Sequence, residues 1–435
     1  MGRTLNRRTI GVTFLVTALL LLMMTPGAKA AAKVRVGLSV SGSAVEIGGS
    51  GLLLDATGHV IAQVDDRSSL ELTASGGQVW LSGASFPVLH AVPSRSGAGS
   101  CLQVNGKPYR GDLVVSAADN RIRIVNELDL EEYLLGVVPL EMSPSWPLEA
   151  LKAQAVAART FALRNANRHQ GDGFGLCDTS HCQVYGGVSA ESTTSSIAVK
   201  DTAGLVLKYN GGLIDAYFHA SSGGRTETAG AAWGHDRPYL TVVEDELELS
   251  GPYASWQESF SPEELGVRLA EAGYPIGPAQ QLEILERTPS GRAASVSVRG
   301  SYGTAVVAGT RLRQVLNLKS TLFNVQEDTA WSEQLKITVL AQSTKGSFVT
   351  SVASGTHVVT AGGPKILSSR TSGDVSRGGG GRAIVLKGRG YGHGVGLSQW
   401  GAKVLAENEL LADKDFFTQI LTHYYKGVTI EPYSF

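Results

Sequence analysis

Residues 120–168 read NRIRIVNELDLEEYLLGVVPLEMSPSWPLEALKAQAVAARTFALRNANR, and the order of patterns in this stretch decides the fold. Alternating apolar residues from Arg121 to Asn126 describe a strand, and the apolar run after them predicts a short helix ending near Val138. Two prolines in Ser143 to Pro147 then force a rigid turn. Pro147 stands where a first-turn proline belongs, ahead of a segment rich in Ala, Leu, Lys and Arg that predicts a long helix. A strand that feeds helices without a repeating βα unit points to an α+β chain, with short helices among antiparallel strands.

Working outward, residues 31–115 consist of β-prone stretches such as KVRVGLSV and DLVVSA between Gly, Ser and Asp turns, a β-rich amino-terminal region. Residues 116–250 form the first part of the mixed core, with a hairpin signal at Asn210-Gly211-Gly212. A mixed accessory segment spans 251–326 and includes the amphipathic SPEELGVRLAEAG. Residues 327–384 read as a β segment, with a low-complexity Ser and Gly loop at 367–382. The last part, 385–435, predicts helices from Trp400 to Glu407 and through FFTQILTHYY.

The chain of 435 residues is long enough for two or three cores, and 43% hydrophobic with 18% charged residues is an ordinary globular composition. Arg3, Arg7 and Arg8 precede an apolar run from Ile10 to Met24 and the small residues Ala28 to Ala31, the order of a secretory signal over residues 1–30. The alternative is an uncleaved anchor, the one route to a membrane; both place the working part outside the cytoplasm. Loss of Arg3, Arg7, Arg8 and Lys29 with no acid takes the formal charge from −1 to −5, which argues against a nucleic-acid partner.

Glu141 lies between an apolar run and the proline turn, a junction where a carboxyl group can be held partly desolvated and keep its proton. Lys152 and Arg159 are two helical turns apart, so one face can grip an anion. His169, Cys177, His181 and Cys182 fall within fourteen residues and suit tetrahedral zinc; a Cys177–Cys182 disulfide and free thiols are the alternatives. His219, Ser221, Ser222 and Arg225 surround a Gly-Gly turn and read as a polar substrate-lining loop. RGYGHGVGLSQWGA at 389–402 is either a spacer or part of a site.

Five stretches together resemble the stage II sporulation protein D and amidase-enhancer family: YLLGVVPLEMSPSWPLEALKAQAVAARTFAL, CQVYGG, AYFHASSGGRTE, GRGYGHGVGLSQWGA and ILTHYYKGV. The resemblance covers about residues 115–430 and implies a peptidoglycan lytic transglycosylase that acts on peptide-stripped glycan strands, cutting between N-acetylmuramic acid and N-acetylglucosamine. It implies Glu141 as the single catalytic acid, and Lys152, Arg159, Gln183, Tyr185, His219, Ser222, Arg225, His393 and Gln399 as substrate-binding. It implies a structural zinc on the His and Cys cluster, with no cofactor needed for the glycan chemistry. The glycines of 389–402 would then let backbone groups approach a sugar at the Glu141 site, with Tyr391 or Trp400 against a ring. Asp215 or Glu227 would serve as a second carboxylate in a hydrolytic version. The rival reading is a non-catalytic peptidoglycan-binding protein that enhances a partner amidase.

Overall fold

The computed structural model describes residues 32–65, 67–94, 101–326, 383–408 and 415–433, together with the backbone of four strands between 338 and 368. The expected signal at 1–30 and most of the expected loop at 367–382 lie outside the described residues.

Two antiparallel sheets build the amino-terminal half. Strand Lys33–Leu38 alternates exposed and buried positions at its start because only one face meets the core. It pairs with Arg121–Asp129, which pairs in turn with Asp112–Ala118. The second sheet runs from Lys107–Tyr109 through Ala44–Gly49 to Ala84–Phe86. The strand Asp112–Ala118 crosses the expected division at residue 115, and one hydrophobic core joins Val34 and Leu53 to Leu151 and Tyr424. The β-rich region therefore shares its core with the helices that follow.

Helix α1 (Leu130–Glu141) starts on Asp129, whose carboxylate accepts the Glu131 amide at 2.7 Å. It continues past the expected end near Val138, carrying Pro139 in its last turn and closing with the Met142 amide on the Val138 carbonyl at 3.0 Å. Helix α2 (Leu148–Arg164) is buried at every residue from Ala150 to Ala162. Its alanines let neighbours approach closely, and the helices Thr193–Asp201, Gln399–Asn408 and Phe416–Tyr424 pack around it. A helix covered on all sides has no solvated face, which corrects the expectation that Lys152 and Arg159 present one.

Arg159 is fully buried and forks onto Glu131 through two bonds of 2.7 and 2.6 Å, while also donating to the Leu205 and Val199 carbonyls. It joins α1, α2 and the strand Leu205–Tyr209. Lys152 is drawn toward Glu149 at 2.8 Å and Asp201 at 3.6 Å. The expected hairpin forms, with Asn210 and Gly211 both at positive φ (49° and 79°) between Tyr209 and Gly212.

Residues 256–326 carry a second hydrophobic core. Its sheet places Ile384–Gly388 between Trp256–Phe260 and Phe323–Gln326, so the chain returns to this unit before entering the glycine-rich stretch. The expected β segment contains a four-stranded antiparallel meander, Thr338–Gln342, Phe348–Val352, Gly355–Thr360 and Gly363–Ser368.

The stretch 389–402 runs along 217–223. Leu397–Ser398 pairs in parallel with Phe218–His219, and Tyr391 bridges Ser221. Gly390 and Gly396 both have positive φ, and a Cβ on them would lie 2.9 Å from the Ser221 carbonyl oxygen and 2.1 Å from that of Tyr217. These glycines are required by the contact between two protein segments, a correction to the reading that they serve close approach of a sugar.

Removal of the Arg159 side chain leaves Glu131 without its fork partner in a largely dry site. Arg159→Ala is expected to cost about 3 kcal/mol of unfolding free energy, measured by urea denaturation, with a change under about 0.5 kcal/mol refuting the linchpin role.

Candidate active site

Glu141 is the last residue of α1, and its carboxylate accepts the Val184 backbone N–H at 2.9 Å. The Gln399 side chain supplies a second hydrogen bond to it. Burial raises its pKa above the ordinary glutamate value; the two hydrogen bonds oppose the rise without cancelling it. No cation is among the groups that act on it. The helix end, the loop after Cys182 and the stretch at 399 thus meet at one carboxyl group. Gln399 is itself buried and donates to Gln154 of α2 at 3.4 Å. Trp400, the next residue, meets Trp146 of the proline turn edge to face at 4.9 Å.

Other expected residues sit elsewhere. Gln183 is buried between Tyr133 and the Ala158 carbonyl, and Tyr185 is buried with its hydroxyl on Asn126 at 2.9 Å. Ser222 is buried on Glu248, and His219 is buried with Nδ1 3.1 Å from the Val395 carbonyl. These four, with Arg159 and Lys152, are committed to the interior, which corrects their assignment to substrate. The reason is common to them: a polar side chain that is bonded in a core looks, in sequence, like one aimed at a ligand. Arg225 is exposed and paired with Glu244. His393 lies beside His219, with ring centres 5.4 Å apart, and accepts the Val395 amide on Nδ1. Burial holds its pKa down to about 3, with Arg313 and Arg292 adding to the effect.

Asp215 is held by Arg237 at 2.6 Å and Arg164 at 3.0 Å, and Glu227 accepts from Thr288 and Ser290. Neither acts on Glu141, so the second-carboxylate role has no support among the described residues.

His169, Cys177, His181 and Cys182 bring one donor atom each within 4.8 Å of one another. His181 Nδ1 is 3.2 Å from His169 Nε2, 3.6 Å from the Cys177 sulfur and 3.8 Å from that of Cys182. A tetrahedron around zinc with bonds of about 2.0 to 2.3 Å has edges of about 3.3 to 3.8 Å, which these distances match. His169 Nδ1 lies 3.0 Å from the Asp172 carboxylate, the outer contact that turns Nε2 toward a metal. Both cysteines are free thiols, which corrects the disulfide alternative.

Sequence reasoning missed Glu248. Its carboxylate is buried and accepts Ser222 N at 2.9 Å, Ser222 Oγ at 2.7 Å, Ser398 Oγ at 2.6 Å and the Ser221 hydroxyl. It ties residues 221–222 to Ser398, immediately before Gln399. The acidic run EDELE around it looks solvated, since nothing in its composition distinguishes an acid that turns inward. Asp245 is also buried, with Tyr424 donating to it at 3.0 Å.

Residues 118–209 match the family described as Stage II sporulation protein. The chain is 32% identical over 311 residues to the amidase enhancer of Bacillus subtilis, covering 69% of this chain and 40% of that protein. It is 30% identical over 325 residues to stage II sporulation protein D of Bacillus amyloliquefaciens, covering 70% of this chain and 75% of that one. An uncharacterized protein of Brachyspira hyodysenteriae is 30% identical over 337 residues, 76% of this chain and 74% of its own length.

Burial, and next the charge of Glu248, push the Asp245 pKa from 3.8 up to about 7. A raised carboxyl pKa means that stability is full while the group is protonated and is lost as pH rises through the folded value. Asp245→Asn is therefore expected to gain thermal stability over the wild type between about pH 6 and pH 8, with the gap closing below about pH 4. Scanning calorimetry across that range checks it; a gap independent of pH would contradict the assignment.

Proposed function

Since the chain belongs to the stage II sporulation protein D family, we propose that it cleaves peptide-stripped peptidoglycan strands as a lytic transglycosylase, outside the cytoplasm. The observation that carries this reading is Glu141: a desolvated carboxyl group of raised pKa, with no cation and no second carboxylate acting on it. Such a group fits one acid that works alone.

The reaction begins with transfer of the Glu141 proton to the glycosidic oxygen. The bond from that oxygen to C1 of the muramic acid breaks, leaving an oxocarbenium-like centre on the ring. Glu141, now a carboxylate steadied by the Val184 amide and Gln399, takes the proton of the same sugar's 6-hydroxyl. That oxygen closes on C1, and a 1,6-anhydro end forms with no water consumed. Trp146 and Trp400 offer apolar edges for the flanking sugars. An amidase that removes stem peptides would act before this enzyme.

The His and Cys cluster is proposed to hold a structural zinc, closed by four protein ligands and apart from the glycan chemistry. Its loop leads through Gln183 to Val184, so the metal would fix the amide that meets Glu141.

Purified protein given peptide-free glycan is expected to release 1,6-anhydro ends by mass spectrometry, and Glu141→Gln to lower that rate by about 10²-fold or more. The wild-type rate should fall as pH rises through the raised Glu141 pKa, because the acid must start protonated. Reducing ends would indicate a hydrolase. Faster action of a partner amidase with no cleavage would favour an enhancer, a role carried in the name of the Bacillus subtilis relative. Elemental analysis is expected to find about one zinc per chain, lost together with thermal stability in Cys182→Ser; full stability after chelation would remove the metal from the account.

A further inference from the structure

A groove of about 650 Å³ lies on the second unit, over the sheet that receives Ile384–Gly388. The central strand places Lys387 between Gln257 and Asn324 of its two neighbours, so the three exposed side chains stand in a row across one face. Arg287 and Arg389 also line the groove. No carboxylate is among its lining residues, although the chain as a whole carries slightly more acids than bases. Arg287 is steadied by Asn324 at 2.7 Å and by the Gly291 and Phe323 carbonyls. Lys387 and Arg389 form no side-chain hydrogen bond or ion pair with a described residue. Cations for carboxylates, beside amides for hydroxyl and acetamido groups, are the side chains that an acidic glycan requires.

The groove is continuous with the Glu141 site. Trp256, in its wall, donates its indole N–H to the Gly390 carbonyl at 3.1 Å, and the Gly390 amide bonds the Tyr253 carbonyl at 2.8 Å. From there aromatic rings lead back: Tyr391 to Tyr253 at 5.1 Å, Tyr253 to Trp400 at 6.4 Å and Trp400 to Trp146 at 4.9 Å. Tyr391 is 42% exposed, so its ring is open to a sugar.

We propose that this groove is a remote subsite for the carboxylate-bearing glycan strand, holding the lactyl groups of muramic acids several sugars away from the bond at Glu141. The inference rests on the transglycosylase reading for the identity of the strand. Its test is binding, which does not depend on cleavage.

The experiment uses the full chain carrying Glu141→Gln, so that no strand is consumed, with three fluorescent probes of matched length. These are peptide-free muramic acid strands, neutral chitin oligomers and poly(glycerol phosphate). Adding Lys387→Gln with Arg389→Gln is expected to weaken the muramic strand roughly tenfold, an effect that shrinks with added salt, and to change chitin binding less than about twofold. The charge-keeping pair Lys387→Arg with Arg389→Lys should retain affinity. The proposal is overturned by equal losses for muramic and chitin probes, by no loss, by a larger loss for poly(glycerol phosphate), or by a tenfold loss in the charge-keeping pair. If the binding pattern holds while the wild type releases no anhydro ends, the groove stands and the transglycosylase reading falls.

Discussion

Glu141 is a carboxyl group kept from water by partners that do not bind its ionised form strongly enough to restore an ordinary pKa. Its two partners, the Val184 amide and Gln399, come from parts of the chain 43 and 258 residues away. A hydrogen bond tolerates only a few tenths of an ångström of misplacement, so each of those parts needs its own strut. The Gly186 amide on the Gly136 carbonyl fastens the loop after Cys182 to α1, at 3.0 Å. Glu248 fastens the segment before Gln399 through Ser398. Arg159 fastens α1 to α2 through Glu131.

The same struts settle the electrostatics. A cation in contact with Glu141 would favour its ionised form and pull the pKa down. The two basic residues of α2 are instead spent on other acids, Arg159 on Glu131 and Lys152 on Glu149 and Asp201. Buried ion pairs contribute little net stability over apolar packing but fix geometry, since a charge left alone in the interior is costly. Here that fixity serves the placement of a third, unpaired acid.

The architecture was legible because periodicity is a local property: the alternation before Asn126, the cap at Asp129 and the proline turn each act within a few residues. Glu141 and Gln399 were legible in the same way, as unusual residues at a junction and in a glycine run. Arg159, Gln183, Tyr185, His219 and Ser222 were misread because burial is set by what packs on α2 and on the 217–223 segment, and those neighbours lie tens to hundreds of residues away. Glu248 carries no sequence signal at all. An inward-turning acid differs from a solvated one only in the serines it finds, and Ser398 is 150 residues distant.

The glycine stretch shows how a misread residue type can still mark a site. Gly390, Gly392, Gly394 and Gly396 all take positive φ, alternating with residues whose side chains do the binding and packing. Without Cβ atoms the segment lies flat against 217–223, and this close contact leaves it no freedom to shift as a loop would. One end of it, at Gly388 and Arg389, belongs to the sheet and groove of the second unit; the other, at Gln399, touches Glu141. A rigid backbone joining the two means that a polymer seated at one end is placed at the other without any change of protein conformation. The entropy of positioning is then met in folding rather than at each encounter with a strand.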